Sequence, residues 1–208
     1  MYWEEDDQNK PNETDNAIVD VSFKVNCNKI SSDHAYDWFE AVLNKFPKIR
    51  DINNLAIHSV YGAESGAGWE RPETEIDHPK RKRLWKRTPV KNSKELTKLK
   101  GEMLKIGKYE MTLSRPSTKN LIITDTLFCR TVVVENNANE EEFLQEVNSS
   151  LISMGINVKK MLCGKEHFIK IPNKTLIGKT LLITDLEKKD SIKIQQLGIG
   201  IGKLFGCG

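Results

Sequence analysis

The sequence lacks several features that would assign it at once to a specialised class of protein. No run of 18 apolar residues occurs, which argues against a membrane-spanning helix. Aromatic residues make up 7% and hydrophobic residues 38% of the 208 residues, enough for one large domain or two of about 100 residues. The N-terminus has neither the basic nor the apolar region of a signal peptide, so we predict a cytoplasmic protein without a membrane partner.

Cysteine is scarce and follows no metal-binding pattern. The four cysteines are Cys27, Cys129, Cys163 and Cys207. None belongs to a C-x-x-C pair, and their spacing suits no zinc motif. We predict four reduced thiols, and neither a metal site nor another cofactor.

Basic residues dominate once the N-terminus is set aside. Residues 1–20 hold seven acids and one base, which leaves 31 bases against 22 acids in residues 21–208. Seven bases and no acid lie between Lys80 and Lys91. This pattern favours a polyanionic partner, although a solvated Lys-rich surface is the alternative. The predicted RNA contacts in this part of the chain are Arg71, Lys80, Arg81, Lys82, Arg83, Trp85 and Arg87, where Trp85 would stack on a base.

Hydrophobic periodicity divides the first half into recognisable elements. Residues 1–16 are polar, acidic and rich in Asn, which predicts a disordered tail. Residues 17–26 alternate as in a strand, and residues 35–46 have the spacing of an amphipathic helix that begins after Ser31-Ser32-Asp33 and ends at Pro47. Further strands are predicted at 55–61, 84–90 and 103–113, and a helix at 93–100. Arg115-Pro116-Ser117 predicts a break, with a domain boundary after residue 117.

The second half repeats this order. Strands are predicted at 126–135, 158–162, 166–171, 174–177 and 181–185, and helices from Asn139 to Gly155 and over 188–197. Residues 17–117 and 118–208 each read approximately as β-α-β-β-α-β, the ferredoxin-like pattern. We therefore predict an α+β protein with two tandem ferredoxin-like domains.

A Gly-rich segment, Leu197–Gly208, closes the sequence. Five of the eleven residues from Gly198 to Gly208 are glycine, and glycine permits positive φ and close approach of another backbone. The pattern is neither a Walker loop nor a dinucleotide fingerprint. The apolar residues among the glycines predict that the segment docks on the protein. We predict a backbone platform for an RNA strand, with Gly198, Gly200, Gly202, Lys203 and Gly206 as its contacts.

Several blocks, in order from residue 19 to the end, are together similar to one family. The sequence resembles the RAMP superfamily of CRISPR systems, and within it the Cas-six type of repeat endoribonuclease of myxobacterial-type loci. In that family a last strand normally follows the Gly-rich loop, whereas this sequence ends at Gly208. The matching blocks are Val19-Asp20-Val21-Ser22-Phe23, Asp33-His34-Ala35-Tyr36, Ile57-His58, Gly62-Ala63-Glu64-Ser65-Gly66-Ala67-Gly68-Trp69, Arg71-Pro72, Leu162-Cys163-Gly164-Lys165, and Gln195-Gln196-Leu197-Gly198 running on to Gly206-Cys207-Gly208.

The resemblance implies metal-independent cleavage of CRISPR precursor RNA within its repeats, which yields mature guide RNAs. The ribose 2′-OH would attack the adjacent phosphate and leave a 2′,3′-cyclic phosphate and a 5′-OH. The alternative is a non-catalytic RNA-binding subunit of a CRISPR effector complex with the same fold. A generic ferredoxin-like RNA-binding module is disfavoured, because no RRM-type aromatic motif is present. The expected partner is CRISPR repeat RNA.

Histidine suits acid–base chemistry near neutral pH, and the sequence contains four. His34 directly precedes the first helix, where free N–H groups attract anions, and the family commonly places a catalytic histidine there. We predict His34 as catalytic, with Tyr36 as a weaker second candidate. Packing on the helix edge is the alternative for His34. His58 fits a sheet role and a site role equally, and we expect His78 and His167 to be structural.

Overall fold

The computed structural model describes residues 18–58, 75–77, 83–136 and 139–208. The first half contains β1 (Ile18–Asn26), β2 (Lys29–Ser31), α1 (Ala35–Lys45), β3 (Ala56–Ile57), β4 (Glu75–Asp77), β5 (Arg83–Pro89), α2 (Val90–Thr97), β6 (Met103–Ile106) and β7 (Tyr109–Asn120). The second half contains β8 (Leu127–Val132), α3 (Glu140–Ser153), β9 (Lys160–Ile171), β10 (Lys174–Thr184) and α4 (Lys188–Leu197). Short 3-10 helices cover Pro47–Asp51 and Lys203–Phe205.

The strand order confirms two ferredoxin-like units. The first sheet has the antiparallel order β3-β5-β1-β7-β6. Its first four members correspond to strands 2, 3, 1 and 4 of a β-α-β-β-α-β unit, which is the ferredoxin-like order. The second sheet, β8-β10-β9, repeats strands 1, 3 and 2. On the free side of β8, Ile201 forms a bridge with Val133, and the Gly208 N–H donates to the Thr131 carbonyl over 3.0 Å.

Each unit has its own core, and a third cluster joins them. Phe23, Trp38 and Val42 are buried between α1 and the first sheet, whereas Phe143 and Val147 of α3 are buried against the second. Each such side chain contributes about 1.5–3 kcal/mol by leaving water. The joining cluster packs the first turn of α1 on the second sheet and on the Gly-rich segment, through Ala35, Val133, Ile169, Leu176 and Cys207.

The helices with the clearest apolar spacing lie where the sequence predicts them. α1 ends before Pro47, and α4 spans the predicted 188–197. α3 begins after Asn139, whose side-chain oxygen accepts a hydrogen bond from the Glu142 N–H at 2.9 Å. This N-cap and the three glutamates of the first turn stabilise the helix start. Among the described residues, no helix has both the length and the apolar character that a membrane span needs.

The predicted break at residues 115–117 is wrong, because β7 continues through it. Arg115 has a φ of +47°, and the register with β1 shifts between Ser22 and Lys24, which marks a β-bulge. β6 pairs only with residues 109–112 of β7. Pro116 has no N–H to donate, but it lies outside this paired stretch and therefore does not interrupt the β6–β7 hydrogen bonds. The boundary after residue 117 therefore falls inside a strand, and we propose that the units meet within residues 121–126.

Three other element predictions need correction. The strand predicted over 103–113 is a hairpin, β6–β7, which turns at Gly107 with a φ of +57°. The helix predicted over 93–100 starts earlier, directly after Pro89, and the Ser93 hydroxyl donates to the Val90 carbonyl inside it. β9 and β10 are long continuous strands rather than four short ones.

Lys86 of β5 is buried in the core of the first unit. Its Nζ lies 5.2 Å from the centroid of the Trp38 ring and 6.0 Å from that of Phe23, and it has no hydrogen-bond partner among the described residues. The ring faces attract the ammonium, but burial opposes its charge and prevails. Burial lowers the pKa of Lys86 from 10.5 to about 7.

Replacing Lys86 with methionine is expected to stabilise the protein by about 1–4 kcal/mol at pH 6, because a buried charge is replaced by an apolar chain of similar length. Between about pH 7 and 10.5 the unfolded chain keeps a proton that the folded chain has lost. Wild-type stability therefore rises with pH in this window, and the advantage of the variant shrinks by about 1–3 kcal/mol by pH 9. Denaturant titrations at both pH values measure this change. The exposed Lys100→Met is the control, and an advantage independent of pH would contradict the assignment.

Candidate functional site

His34 lies at the N-cap of α1 and is completely buried. Its backbone carbonyl accepts the Trp38 N–H at 2.8 Å, and its ring has 0% exposed surface. The N-cap is thus His34, and not one of the preceding residues 31–33 that the sequence suggests. The Asp33 carboxylate is used elsewhere, because it accepts a hydrogen bond from the Lys170 N–H of β9 at 3.3 Å. The first turn of α1 is consequently anchored to the second unit.

The surroundings of His34 define how its ring is protonated. Nδ1 lies 2.7 Å from the carbonyl oxygen of Ser31. A carbonyl only accepts hydrogen bonds, so Nδ1 must carry a proton. In the neutral ring the basic lone pair is then on Nε2, which is the nitrogen able to take up a proton.

The Gly-rich segment docks on the same helix. Phe205 packs edge-on against Phe39, with ring centroids 5.4 Å apart, and lies 6.1 Å from the ring of Tyr36. Ile199 and Cys207 are buried, whereas Ile201 is 43% exposed. The apolar residues between the glycines therefore anchor the segment to the protein, as the sequence suggests. The predicted catalytic helix and the predicted RNA platform are brought together at α1.

The glycines allow this segment to approach other backbones closely. Gly200 has a φ of +76°, and a Cβ built on it would lie 2.1 Å from the Val133 carbonyl oxygen. This carbonyl accepts the Ile201 N–H at 2.9 Å. At Gly208, a Cβ would lie 2.4 Å from the Ile199 carbonyl oxygen. Glycine is therefore required at these positions by contacts within the protein, whatever the segment binds.

Lys203 caps α4 and is less available than the sequence suggests. Its ammonium donates to the carbonyl of Leu197, the last residue of that helix. A cation at a helix C-terminus is favourable because it meets the negative end of the helix dipole. Burial lowers the pKa of Lys203 from 10.5. One of its roles is thus to hold the Gly-rich segment against α4.

Tyr36 is half-buried on α1 beside Phe205. Burial raises the pKa of its hydroxyl, and the carboxylate of Glu40, one turn further along, raises it again. The hydroxyl is therefore protonated at neutral pH and can donate a hydrogen bond, but it cannot serve as a base.

Arg87 links the two units instead of presenting its charge to solvent. Its Nε and one terminal nitrogen each donate to the Asp20 carboxylate at 2.9 Å, and the other donates to the Gln195 carbonyl of α4 at 3.0 Å. The side chains of the pair are 19% and 17% exposed. These contacts make Arg87 an interface residue, and its contact with RNA stays a prediction. Sequence reasoning missed Asp20 as the partner of Arg87, because only the pairing of β1 with β5 places the two residues opposite each other.

Replacing Arg87 with alanine is expected to destabilise the protein by about 2–4 kcal/mol, because Asp20 would keep a mostly buried charge without its partner. Thermal and urea unfolding measure the loss. Lys98→Ala is the matched control, since the Lys98–Glu95 ion pair is exposed and should contribute less than about 0.5 kcal/mol. Equal losses in the two variants would contradict the interface role.

The structure describes only some of the remaining predicted RNA contacts. Arg71, Lys80, Arg81 and Lys82 lie outside the described residues, as does His78. Arg83 and Trp85 belong to β5, where only their backbone is described. His167 accepts or donates a hydrogen bond with the Thr180 hydroxyl at 2.9 Å, in line with its predicted structural role. Within the described ranges, no three His, Cys, Asp or Glu side chains converge on a point where they could hold a metal ion.

Two tandem ferredoxin-like units, joined through a docked C-terminal Gly-rich segment, define a RAMP-type protein. Within this class the chain belongs to the Cas6 family, because the family described as Cas6 Crispr matches residues 19–208. This confirms the resemblance seen in the sequence.

Comparison with individual proteins agrees with this assignment. The CRISPR-associated endonuclease Cas6 of Myxococcus xanthus strain DK1622 is 24% identical over 192 residues, which cover 92% of this chain and 80% of that protein. A solved structure of a CRISPR associated protein Cas6 has a TM-score of 0.62 at 8% identity, over 92% of this chain and 97% of that one. A RAMP protein described as binding different RNA substrates has a TM-score of 0.60 at 13% identity, over 91% and 97%. At these identities the solved structures show the shared fold.

Proposed function

We propose that this chain is an endoribonuclease that cleaves CRISPR precursor RNA within its repeats, without a metal ion, to give mature guide RNAs. The observation that carries the proposal is the packing of the Gly-rich segment on Ala35, Tyr36 and Phe39 of α1, the helix whose N-cap is His34. Family membership and the curated endonuclease relative support the substrate and the reaction. The RNA would run along the exposed side of residues 198–206, with its scissile phosphate near the start of α1.

The proposed reaction needs three contributions from the protein. A base removes the proton of the ribose 2′-OH, whose oxygen then attacks the adjacent phosphorus. An acid protonates the departing 5′-oxygen, so that a 2′,3′-cyclic phosphate and a 5′-OH remain. Free N–H groups at the start of α1 and nearby cations would stabilise the charge on the phosphorane. Nε2 of His34 is the proposed proton-transfer atom, and the protonated hydroxyl of Tyr36 is the second candidate donor.

The burial of His34 sets a condition on this mechanism. Because the ring has no exposed surface in the free protein, the turn formed by residues 31–34 must move when RNA binds. The same observation favours the alternative function, a non-catalytic RNA-binding subunit of a CRISPR effector complex. In that case His34 would only hold the turn through its bond to Ser31.

Incubation with the CRISPR repeat transcript of the chain's own genome, in the presence of EDTA, separates these functions. We expect a single cut in each repeat and a 3′ end that polynucleotide kinase must treat before poly(A) polymerase can extend it. Tight binding without cleavage would instead support the subunit. Cleavage that stops in EDTA and returns with Mg²⁺ would contradict the proposed chemistry.

A further inference from the structure

A cavity of about 330 Å³ lies where the two units meet. Its walls come from β3 and β5 of the first unit, from β8, β10 and α4 of the second, and from the Gly-rich segment. This volume is at the lower end of the range of small-ligand pockets. It is larger than a single water site and suits one flat heterocycle better than a stretch of polymer.

The walls of this cavity are mainly apolar. Leu127, Ile183 and Ile194 contribute side chains from three different elements. Among its polar residues, Arg87 already donates to Asp20 and to the Gln195 carbonyl, and the Gln195 amide donates to the Ile122 carbonyl at 2.8 Å. Arg87 is thus neutralised by a carboxylate. The other cationic residues of the lining are Arg130 and Lys203, and the Lys203 ammonium donates to the Leu197 carbonyl.

His58 has an unmet hydrogen-bonding group in this cavity. Its Nε2 has no solvent-accessible surface and no hydrogen-bond partner among the described residues. Burial lowers the pKa of His58 to about 4, helped by Arg87 and opposed by Asp20. The ring is therefore neutral at pH 7, and each nitrogen either donates or accepts one hydrogen bond. A neutral imidazole of this kind can pair with either a donor or an acceptor on the uncharged polar edge of a ligand.

We propose that this cavity holds one unpaired nucleobase of the bound RNA, and that the His58 ring turns to present Nε2 to the polar edge of that base. The proposal rests on the proposed RNA-binding function, because the Gly-rich segment forms both the cavity rim and the platform for the backbone. A base has apolar faces for the aliphatic walls and donors and acceptors only at its edge, which matches the distribution of groups in the cavity. The phosphates on either side would stay outside, along residues 198–206.

Ring ¹⁵N NMR of histidine-labelled wild-type protein tests the cavity without any mutation. The four nucleoside 5′-monophosphates and ribose 5-phosphate are each added up to about 10 mM, enough to detect dissociation constants in the millimolar range. We expect at least one nucleotide to shift the His58 signals saturably. Ribose 5-phosphate should not shift them, and His167 should not respond. No shift with any nucleotide, or an equal shift with ribose 5-phosphate, would overturn the proposal.

Abasic scanning of the repeat RNA then tests the role of His58 in recognition. Removing the recognised base is expected to weaken wild-type binding about tenfold at one position of the repeat. His58→Phe keeps an aromatic ring but not the ring nitrogens, so removal of the same base should weaken RNA binding by this variant less than about twofold. His167→Phe should show the wild-type loss of affinity. An abasic penalty that is unchanged in His58→Phe would refute the reading role.

These results are distinguishable from a failure of the proposed function. If the protein does not cleave the repeat, the NMR titration and the abasic scan still measure binding and still test the cavity. Absence of any repeat binding would reject RNA as the ligand. If His58→Phe does not fold, the NMR titration of the wild type still decides.

Discussion

Replacement of His34 by asparagine is expected to slow repeat cleavage by about 10²–10⁴-fold while RNA affinity changes by less than about threefold. Asparagine can keep the hydrogen bond to the Ser31 carbonyl through its amide N–H, as Nδ1 does in the wild type. It has no nitrogen that takes up a proton near neutral pH, so Nε2 chemistry is lost while the turn is retained. Single-turnover cleavage and a filter-binding titration measure the two quantities.

Two further variants make the result for His34 interpretable. His34→Ala removes the hydrogen bond as well, so comparison of its unfolding with that of His34→Asn isolates the structural contribution of the ring. His167→Asn removes a histidine that contacts Thr180 on the second sheet and should cleave like wild type. Wild-type cleavage by a folded His34→Asn would reject the catalytic assignment and direct attention to Tyr36.

Replacement of Gly200 by alanine is expected to destabilise the protein by about 3 kcal/mol or more, which is roughly 5–15 °C in Tm. The new Cβ would stand 2.1 Å from the Val133 carbonyl oxygen, and the residue would keep a φ of +76° that alanine disfavours. Since that oxygen is a backbone atom within a bridge, a rotamer change cannot relieve the clash. The Gly-rich segment must detach from β8, so RNA binding should also weaken.

Gly101→Ala is the matched control for this prediction. Gly101 has a similar φ of +86°, but a Cβ there would meet nothing within 4 Å. Only the conformational cost remains, about 1 kcal/mol. Similar losses in the two variants would show that backbone conformation alone matters and that the close approach of Gly200 to Val133 does not.

The sequence predicts the bounds of the helices better than those of the strands, because the signals that start and end a helix are local. The apolar spacing of α1 and the N-cap Asn139 of α3 are local signals, and both helices begin and end close to the predicted positions. Glycines inside strands mislead instead, because they suggest breaks. A Cβ on Gly178 would lie 2.8 Å from the Val132 carbonyl oxygen of the neighbouring strand. This requirement comes from a distant segment, and no local pattern records it.

The candidate site is predicted only in part. His34 and the Gly-rich segment are singled out in the sequence because one precedes a helix and the other has an unusual composition. The structure places both at α1, and their roles in a site stay predictions. In the basic run, neighbouring residues of β5 face opposite sides of the strand. Lys86 consequently points into the core and Arg87 towards α4, so neighbours in the sequence do not form one charged surface. Burial of His34 arises from tertiary packing and has no sequence signature.

The contact of Phe205 with Tyr36 and Phe39 also has a consequence for folding. These residues are far apart in the chain, so the aromatic cluster cannot form until the last helix and the segment after it have been synthesised. The first unit can complete its own core earlier, but part of its α1 surface stays uncovered until then. We therefore expect the two units to unfold in one cooperative transition, and the nascent chain to acquire its RNA surface as a late event in folding.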